Sequence, residues 1–250
     1  MYTIKSPREI QKIKKACSVV AEILQILMEE ATQGMTTNDL DRRAHELTLK
    51  KGATPAFENY NGFPKVLCAN VNEEVVHGIP DDRELKDGDI IGLDFGVIVD
   101  GWYGDSAVTI PIGKVSPEAK KLMKVTQECL YKGIEAAIPG NRLGDIGYAV
   151  QGHAEKYGYG VVREFVGHGI GRALHEEPQV PNFGKKSSGI KLEVGMCLAI
   201  EPMITAGSYK VKVLKNNWTA VTVDGSLAAH FEHTIALTEK GPVILSERVQ

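Results

Sequence analysis

A chain of 250 residues, 43% hydrophobic and 24% charged, is long enough to bury a large core and has the composition of one compact globular domain. Its formal charge of −3 and pI near 6.2 exclude a general electrostatic attraction to nucleic acid or to an anionic membrane surface. Four dispersed cysteines (Cys17, Cys68, Cys129, Cys197) form no C-x-x-C pair, and neither an apolar leader nor a membrane-length run is present, so a reduced, soluble, cytoplasmic protein is expected.

In chain order, Ser6-Pro7-Arg8-Glu9 predicts a capped helix start, with Ser6 as cap, Pro7 at the first position and Glu9 completing a capping box. Ile10, Ile13, Cys17, Val20, Leu24, Leu27 and Met28 recur at helical steps, and Gly34 is expected to close the segment. A second helix after Thr37 carries Leu40, Ala44 and Leu47 and ends at Gly52. Pro55, Gly62 and Pro64 mark loop, after which strands run from Val66 to Ile112.

Within those strands, Ile90 to Ile110 reads as two apolar runs joined at Asp100-Gly101, a strong hairpin signal. A two-residue turn there places Val99 opposite Trp102, Asp94 opposite Ala107 and Asp105 opposite Gly96. Asp94 and Asp105 then share one face as diagonal neighbours, on the order of 7–8 Å apart along the backbone, close enough to converge on one ion. Two unpaired carboxylates between apolar flanks would cost several kcal/mol or give up their charge, on the order of what desolvation demands, and a divalent cation satisfies both.

At Ser116-Pro117-Glu118, 110 residues after Ser6, the order begins again. A helix runs through Leu122, Val125, Leu130 and Ile134, a break follows at Pro139-Gly140, and a short helix ends at Gly158. Strand-like runs then occupy 160–162, 198–200, 209–213, 220–223 and 234–237. Both halves, about 1–113 and 114–250, read helix, helix, strands, which fits a single domain of two similar lobes sharing one sheet.

The second half supplies the remaining reactive side chains. The glycines around His168 in V-G-H-G-I-G-R-A-L-H argue against helix and for closely approached backbone; a phosphate cradle is the rival, but no Lys-Ser/Thr and no capped helix follow. Glu201 ends an apolar run directly before Pro202, and the two-residue period of a strand puts His230, Glu232 and Thr234 on one face. Asp94, Asp105, His168, Glu201 and Glu232 together form an oxygen-rich set that suits two divalent ions bridged by carboxylates.

The stretches L-D-F-G (93–96) with Asp105, G-H-G-I-G (167–171) with H-E-E-P (175–178), A-I-E-P-M (199–203), F-E-H-T-I (231–235) and N-E-E-V-V-H-G-I-P (72–80) resemble the methionine aminopeptidases. The resemblance covers nearly the whole chain, and it is closer to the short bacterial type I form because no long insertion separates Glu201 from Glu232. It implies the α/β pita-bread fold, a pseudo-twofold arrangement around a curved, mostly antiparallel sheet. It also implies removal of N-terminal methionine when the second residue is small, by a water activated on two ions such as cobalt, manganese, iron or zinc.

On that resemblance Asp94, Asp105, His168, Glu201 and Glu232 are the metal ligands, Glu201 relays a proton, His175 stabilises the oxyanion and His77 contacts the substrate backbone. Phe57, Tyr60, Phe63, Cys68, Leu174 and Trp218 would line the methionine pocket, with ordinary core as the competing reading. Some relatives have Cys in place of Phe57 and Phe in place of Leu174, which leaves the pocket outline open. The implied partners are N-terminal peptides of nascent proteins and, transiently, the ribosome, met by a monomer. Two other functions fit parts of the pattern. Proline-specific aminopeptidases and prolidases share the metal set on longer chains, and non-enzymatic relatives keep the fold but lose the ligands, all five of which are present here.

Overall fold

The hairpin expected at Asp100-Gly101 organises the first half of the molecule. In the computed structural model, which describes residues 2–248, strands Ile90–Val99 and Trp102–Pro111 pair along their full length in the register the turn demands, Asp94 against Ala107 and Asp105 against Gly96. Asp100 (φ 51°) and Gly101 (φ 75°) both take the left-handed conformation that a right-twisting two-residue hairpin needs. Thr54–Pro55 and Leu67–Val71 pair antiparallel with the free edge of Ile90–Val99, which completes a four-stranded sheet.

Helix α1 (Pro7–Glu30) covers this sheet and starts as the sequence predicts. Ser6 Oγ accepts from Glu9 N–H at 3.4 Å, and Glu9 Oε2 accepts from Ser6 N–H at 2.9 Å. Its buried face is Ile13, Cys17, Val20, Leu24 and Leu27. The close approach is made at Gly104, where an added Cβ would stand 2.5 Å from the Cys17 nitrogen. The helix ends at Glu30, one turn before the expected Gly34: Ala31 is already extended (ψ 117°), and Gly34 N–H donates to Leu85 O in the turn that follows. Helix α2 (Thr37–Lys50) is capped by Thr36 and Asp39, and Gly52 (φ 67°) terminates it as expected.

The second half repeats the order. Helices α3 (Pro117–Ala136) and α4 (Leu143–Lys156) precede a five-stranded antiparallel sheet in the order 241–244, 233–238, 197–200, 167–169 and 176–180. Here too the first helix of the half meets its sheet at a glycine, since a Cβ on Gly133 would lie 3.2 Å from Ile200 Cγ2. Two three-stranded antiparallel sheets flank the centre, 160–161 with 203–205 and 228–230, and 74–76 with 220–222 and 211–213.

The strands fall into four hydrogen-bonded groups, and the two halves join between them. The hairpin and the second-half strands meet at a seam where hydroxyls take over from a regular ladder. Glu232 N–H donates to Ala107 O at 2.9 Å, and Ser106 Oγ donates to Glu232 O at 2.7 Å. Thr109 Oγ1 donates to His230 O, and Thr234 Oγ1 to Asp105 O, each at 2.8 Å. The run around Glu232 is therefore not one strand: Ala228–His230 and His233–Thr238 flank a break at Phe231-Glu232, where the chain changes partners. Among the described residues no helix is long and apolar enough to cross a membrane, and all four cysteines are buried and free.

Candidate metal centre and adjoining pocket

The seam brings Asp105 and Glu232 side by side, and the glycines of 167–171 bring His168 to meet them. A Cβ on Gly167 would stand 2.3 Å from Ala199 O, and one on Gly169 would stand 2.3 Å from Glu177 O, so only glycine lets the His168 strand lie this close to both neighbours. Asp105, His168 and Glu232 each offer a ligand atom, all within 4.8 Å of one another. His168 Nε2 is 3.8 Å from Asp105 Oδ2 and 3.6 Å from Glu201 Oε1. His168 Nδ1–H donates to Gly169 O at 2.9 Å, which fixes the tautomer and leaves the Nε2 lone pair free for a ligand role. Asp94 and Glu201 complete the wall of the same cavity.

Electrostatics argue that this cluster is built around positive charge. Burial pushes the Asp94, Asp105, Glu201 and Glu232 carboxyls far above the usual carboxylate range, and for Asp105 and Glu232 the neighbouring carboxylates add to the rise. Among the described residues the only cationic groups within ion-pair distance of the four are His168 and His230. Burial pushes both histidines down toward the neutral form. Asp105 Oδ1 and Glu232 Oε1 are buried without any hydrogen-bond partner. Orphaned carboxylate oxygens beside an imidazole lone pair fit a divalent cation of the first transition row, which would satisfy all of them at once.

Beside the cluster opens a cavity of about 200 Å³. Cys68 is the register partner of Asp94 and joins the acidic floor to the apolar walls, which Phe57, Phe63 and Leu174 form as buried side chains. Tyr60 and Trp218 are partly buried at its margin, and Trp218 meets Phe63 edge-on with ring centroids 5.2 Å apart. Burial and the nearby carboxylates push the Cys68 thiol well up, which keeps it protonated and suits a lining role rather than nucleophilic attack.

Two histidines stand over the cavity. His77 has φ 59°, rare for a residue with a Cβ, and its ring packs edge-on against Phe165 and Trp218 at 5.3 and 6.2 Å. Burial, with the neighbouring histidines, pushes its pKa down to about 4. His175 Nδ1 lies 2.8 Å from the Tyr60 phenol oxygen, and although the residue is exposed on its outer side, desolvation of the ring by the cavity favours its neutral form. All thirteen residues singled out from the sequence thus line one cavity, together with Asn61.

Three residues at the site were not assigned a role from sequence. His230 packs its Nε2 3.4 Å from Glu201 Oε2, with both ring nitrogens lacking a hydrogen-bond partner; its place two residues from Glu232 was the available signal. Glu176 anchors the turn before His175, accepting from Arg172 N–H (2.7 Å) and Ala173 N–H (3.2 Å). Its other oxygen takes the buried Lys5 ammonium at 2.6 Å, a contact across 171 residues for which the sequence holds no local signal.

A family model described as metallopeptidase family M24 matches residues 11–239. A methionine aminopeptidase of Clostridium acetobutylicum is 51% identical over 247 residues, covering 98% of this chain and 99% of that protein. Methionine aminopeptidase 1 of Bacillus subtilis is 50% identical over 246 residues, with 98% and 99% coverage. The solved methionine aminopeptidase of Rickettsia prowazekii superposes with a TM-score of 0.98 at 43% identity, covering 99% of this chain and 100% of that one. A prolidase from Pyrococcus horikoshii, TM-score 0.79 at 24% identity, covers 99% of this chain but only 64% of its own, a likeness of fold alone. The mixed α/β pita-bread architecture expected from the sequence is therefore the one adopted. The family match spans both halves of the molecule and includes every residue of the acidic cluster, and the chain accordingly belongs to metallopeptidase family M24.

Proposed function

We propose that this chain is a methionine aminopeptidase that hydrolyses the first peptide bond of nascent proteins and peptides when the second residue is small. The observation that carries the reading is the adjacency of a buried carboxylate–histidine cluster to an apolar cavity sized for one side chain. The relatives named methionine aminopeptidases match over the full length of this chain and of their own. Asp94, Asp105, His168, Glu201 and Glu232 would hold two divalent ions, with cobalt, manganese, iron and zinc as the ions the donor set suits. When bound, the ions supply a Lewis-acid centre that activates water and receives the substrate's free α-amine.

The remaining roles fall to this chain's own groups. Phe57, Tyr60, Phe63, Cys68, Leu174 and Trp218 hold the methionine side chain and exclude water from the scissile bond. Glu201 accepts a proton from the attacking water and passes it to the leaving amine. His175 donates to the oxygen of the scissile carbonyl as charge develops on it, and His77 steadies the substrate backbone. Asp94 and Asp105 come from the first half, and His168, Glu201 and Glu232 from the second, so residues 1–250 act as a single catalytic domain with pseudo-symmetric halves about 1–113 and 114–250. A cytoplasmic monomer that meets nascent chains transiently at the ribosome fits this substrate, the four free cysteines and the lack of a membrane-crossing helix among the described residues.

The test is release of methionine from Met-Ala-Ser and Met-Leu-Ser peptides before and after chelation and metal restoration. The first peptide should be cut and the second spared, with activity lost on chelation and regained with metal. Comparable kcat/KM for the two would sink the reading in favour of a broad aminopeptidase, and preferential cleavage before proline would move it to the prolidases.

A further inference from the structure

The pocket and the oxyanion end of the site come from distant parts of the chain, and one hydrogen bond joins them. Tyr60 lies in a single tight turn between two pocket walls. Its N–H donates to Phe57 O at 2.9 Å, its carbonyl accepts from Phe63 N–H at 3.0 Å, and Asn59 N–H closes the turn on Phe63 O at 2.7 Å. Asn59 (φ 63°), Asn61 (φ 51°) and Gly62 (φ 88°) all adopt left-handed backbone, which asparagine and glycine tolerate best. A turn of this kind has little freedom, so the direction of the Tyr60 side chain is set by the loop that builds the pocket.

That side chain ends on His175. The phenol oxygen lies 2.8 Å from Nδ1, and the two rings are tilted at 56° with centroids 5.2 Å apart. From the other side, the His175 ring stands edge-on to His168, with centroids 4.4 Å apart. The backbone before His175 is held by Glu176, which Lys5 and Thr3 grip from the N-terminal segment. His175 is thus fixed in position by its loop and in ring orientation by one bond.

We propose that Tyr60 is a positioning residue for His175: its phenol O–H donates to Nδ1 and so keeps the imidazole proton on Nε2, the nitrogen left to face the substrate. The inference rests on the reading of His175 as oxyanion donor. The opposite assignment, Nδ1–H donating to the phenol oxygen, would leave Nε2 as a bare acceptor, unable to stabilise a developing negative charge. Burial pushes the Tyr60 phenol up, so that it keeps its proton and can donate. Tyr60 on this view is more than a wall of the methionine pocket. It ties the loop that reads the side chain to the group that stabilises the reaction, so a disordered pocket loop lowers turnover as well as affinity.

The variant Tyr60→Phe keeps the ring and removes only the hydroxyl. It should lower kcat about tenfold, the size expected for one hydrogen bond, with KM changed by less than about twofold and metal content unaltered. In a His175→Ala background the same substitution should change kcat by less than about twofold, because both act through one donor. An independent readout is the two-bond ¹H–¹⁵N correlation spectrum of zinc-loaded, ¹⁵N-histidine-labelled protein, with His175 assigned by its loss in His175→Ala. His175 should show its proton on Nε2 in the parent protein and averaging between both nitrogens in Tyr60→Phe.

A proton on Nδ1 in the parent protein overturns the proposal. So does a rise in KM at unchanged kcat, which would make Tyr60 a pocket wall only, or a full tenfold loss that persists in His175→Ala, which would make the two independent. If His175→Ala alone leaves kcat unchanged, the oxyanion assignment fails and the proposal with it.

Discussion

His168 and His175 are seven residues apart and their rings touch, yet their nitrogens are committed differently. His168 spends Nδ1–H on Gly169 O and turns Nε2 toward Asp105 and Glu201, whereas His175 meets Tyr60 at Nδ1. Replacing His168 with Ala should therefore lower both metal content and turnover. His175→Ala should leave the metal bound and lower kcat about 10²–10³-fold, or about 2.7–4 kcal/mol, the usual loss for one oxyanion donor. Titration of each metal-free variant with manganese, paired with turnover at saturating metal, separates the two; metal loss in His175→Ala alone would reverse the roles. Asp105→Asn substitutes a neutral, weaker ligand where an orphaned oxygen now sits. Activity should vanish while the circular dichroism spectrum stays that of the parent, and near-normal turnover at saturating metal would make Asp105 structural.

Among the elements, the seam between the hairpin and the 228–238 run decides where the carboxylates meet. Three hydroxyls, from Ser106, Thr109 and Thr234, reach carbonyls across it, and two of those carbonyls belong to Asp105 and Glu232. Arg248 supports the same row from behind, donating to Ser106 Oγ at 2.9 Å. Thr234→Val is nearly isosteric and leaves Asp105 O without this donor in a buried place. It should cost about 1–2 kcal/mol of stability by the usual penalty for an unmade buried hydrogen bond. Metal affinity should fall with it, since the Asp105 backbone loses its tether. Denaturant unfolding and metal titration of the same sample test both, and a variant equal to the parent in each would show that the seam is held by packing alone.

For the molecule as a whole, the buried acidic cluster makes metal-free stability depend on pH in an unusual direction. Above about pH 7.5, one unit beyond the ordinary histidine value, an unfolded chain has largely neutral histidines and ionised carboxyls. Burial holds the Asp94 carboxyl up to about 7 and that of Glu201 up to about 8, so the metal-free fold still carries protons that the unfolded chain has lost. With more protons on the native state, stability should fall as pH rises above about 7.5 and through the raised carboxyl values. Metal bound to the ionised carboxylates would replace those protons and remove the slope. Thermal midpoints of chelated and manganese-loaded protein across that window should diverge with rising pH, and parallel curves would mean that the cluster is not what binds metal.

The sequence by itself determined the local features, because each depends on residues a few positions apart. The capping box of Ser6 and Glu9, the ends of α2 and α4, the Asp100-Gly101 turn and the register that puts Asp94 and Asp105 together are all of this kind. The acidic set was legible because carboxylates among strand-forming apolar residues are costly and so conspicuous. Tertiary structure decided what local chemistry does not encode. Helix α1 stops at Glu30 and Gly34 instead gives its N–H to Leu85 O, and the G-H-G stretch is a strand because its neighbours at 176–180 and 197–200 supply the ladder. The strand around Glu232 breaks because Ala107 offers that residue's N–H a partner in the other half. The contacts of Tyr60 with His175, Lys5 with Glu176 and His230 with Glu201 join segments whose approach follows from the packing of two halves. Periodicity and capping carry no information on such pairs, since the free energy that selects them is released only when both sheets are assembled.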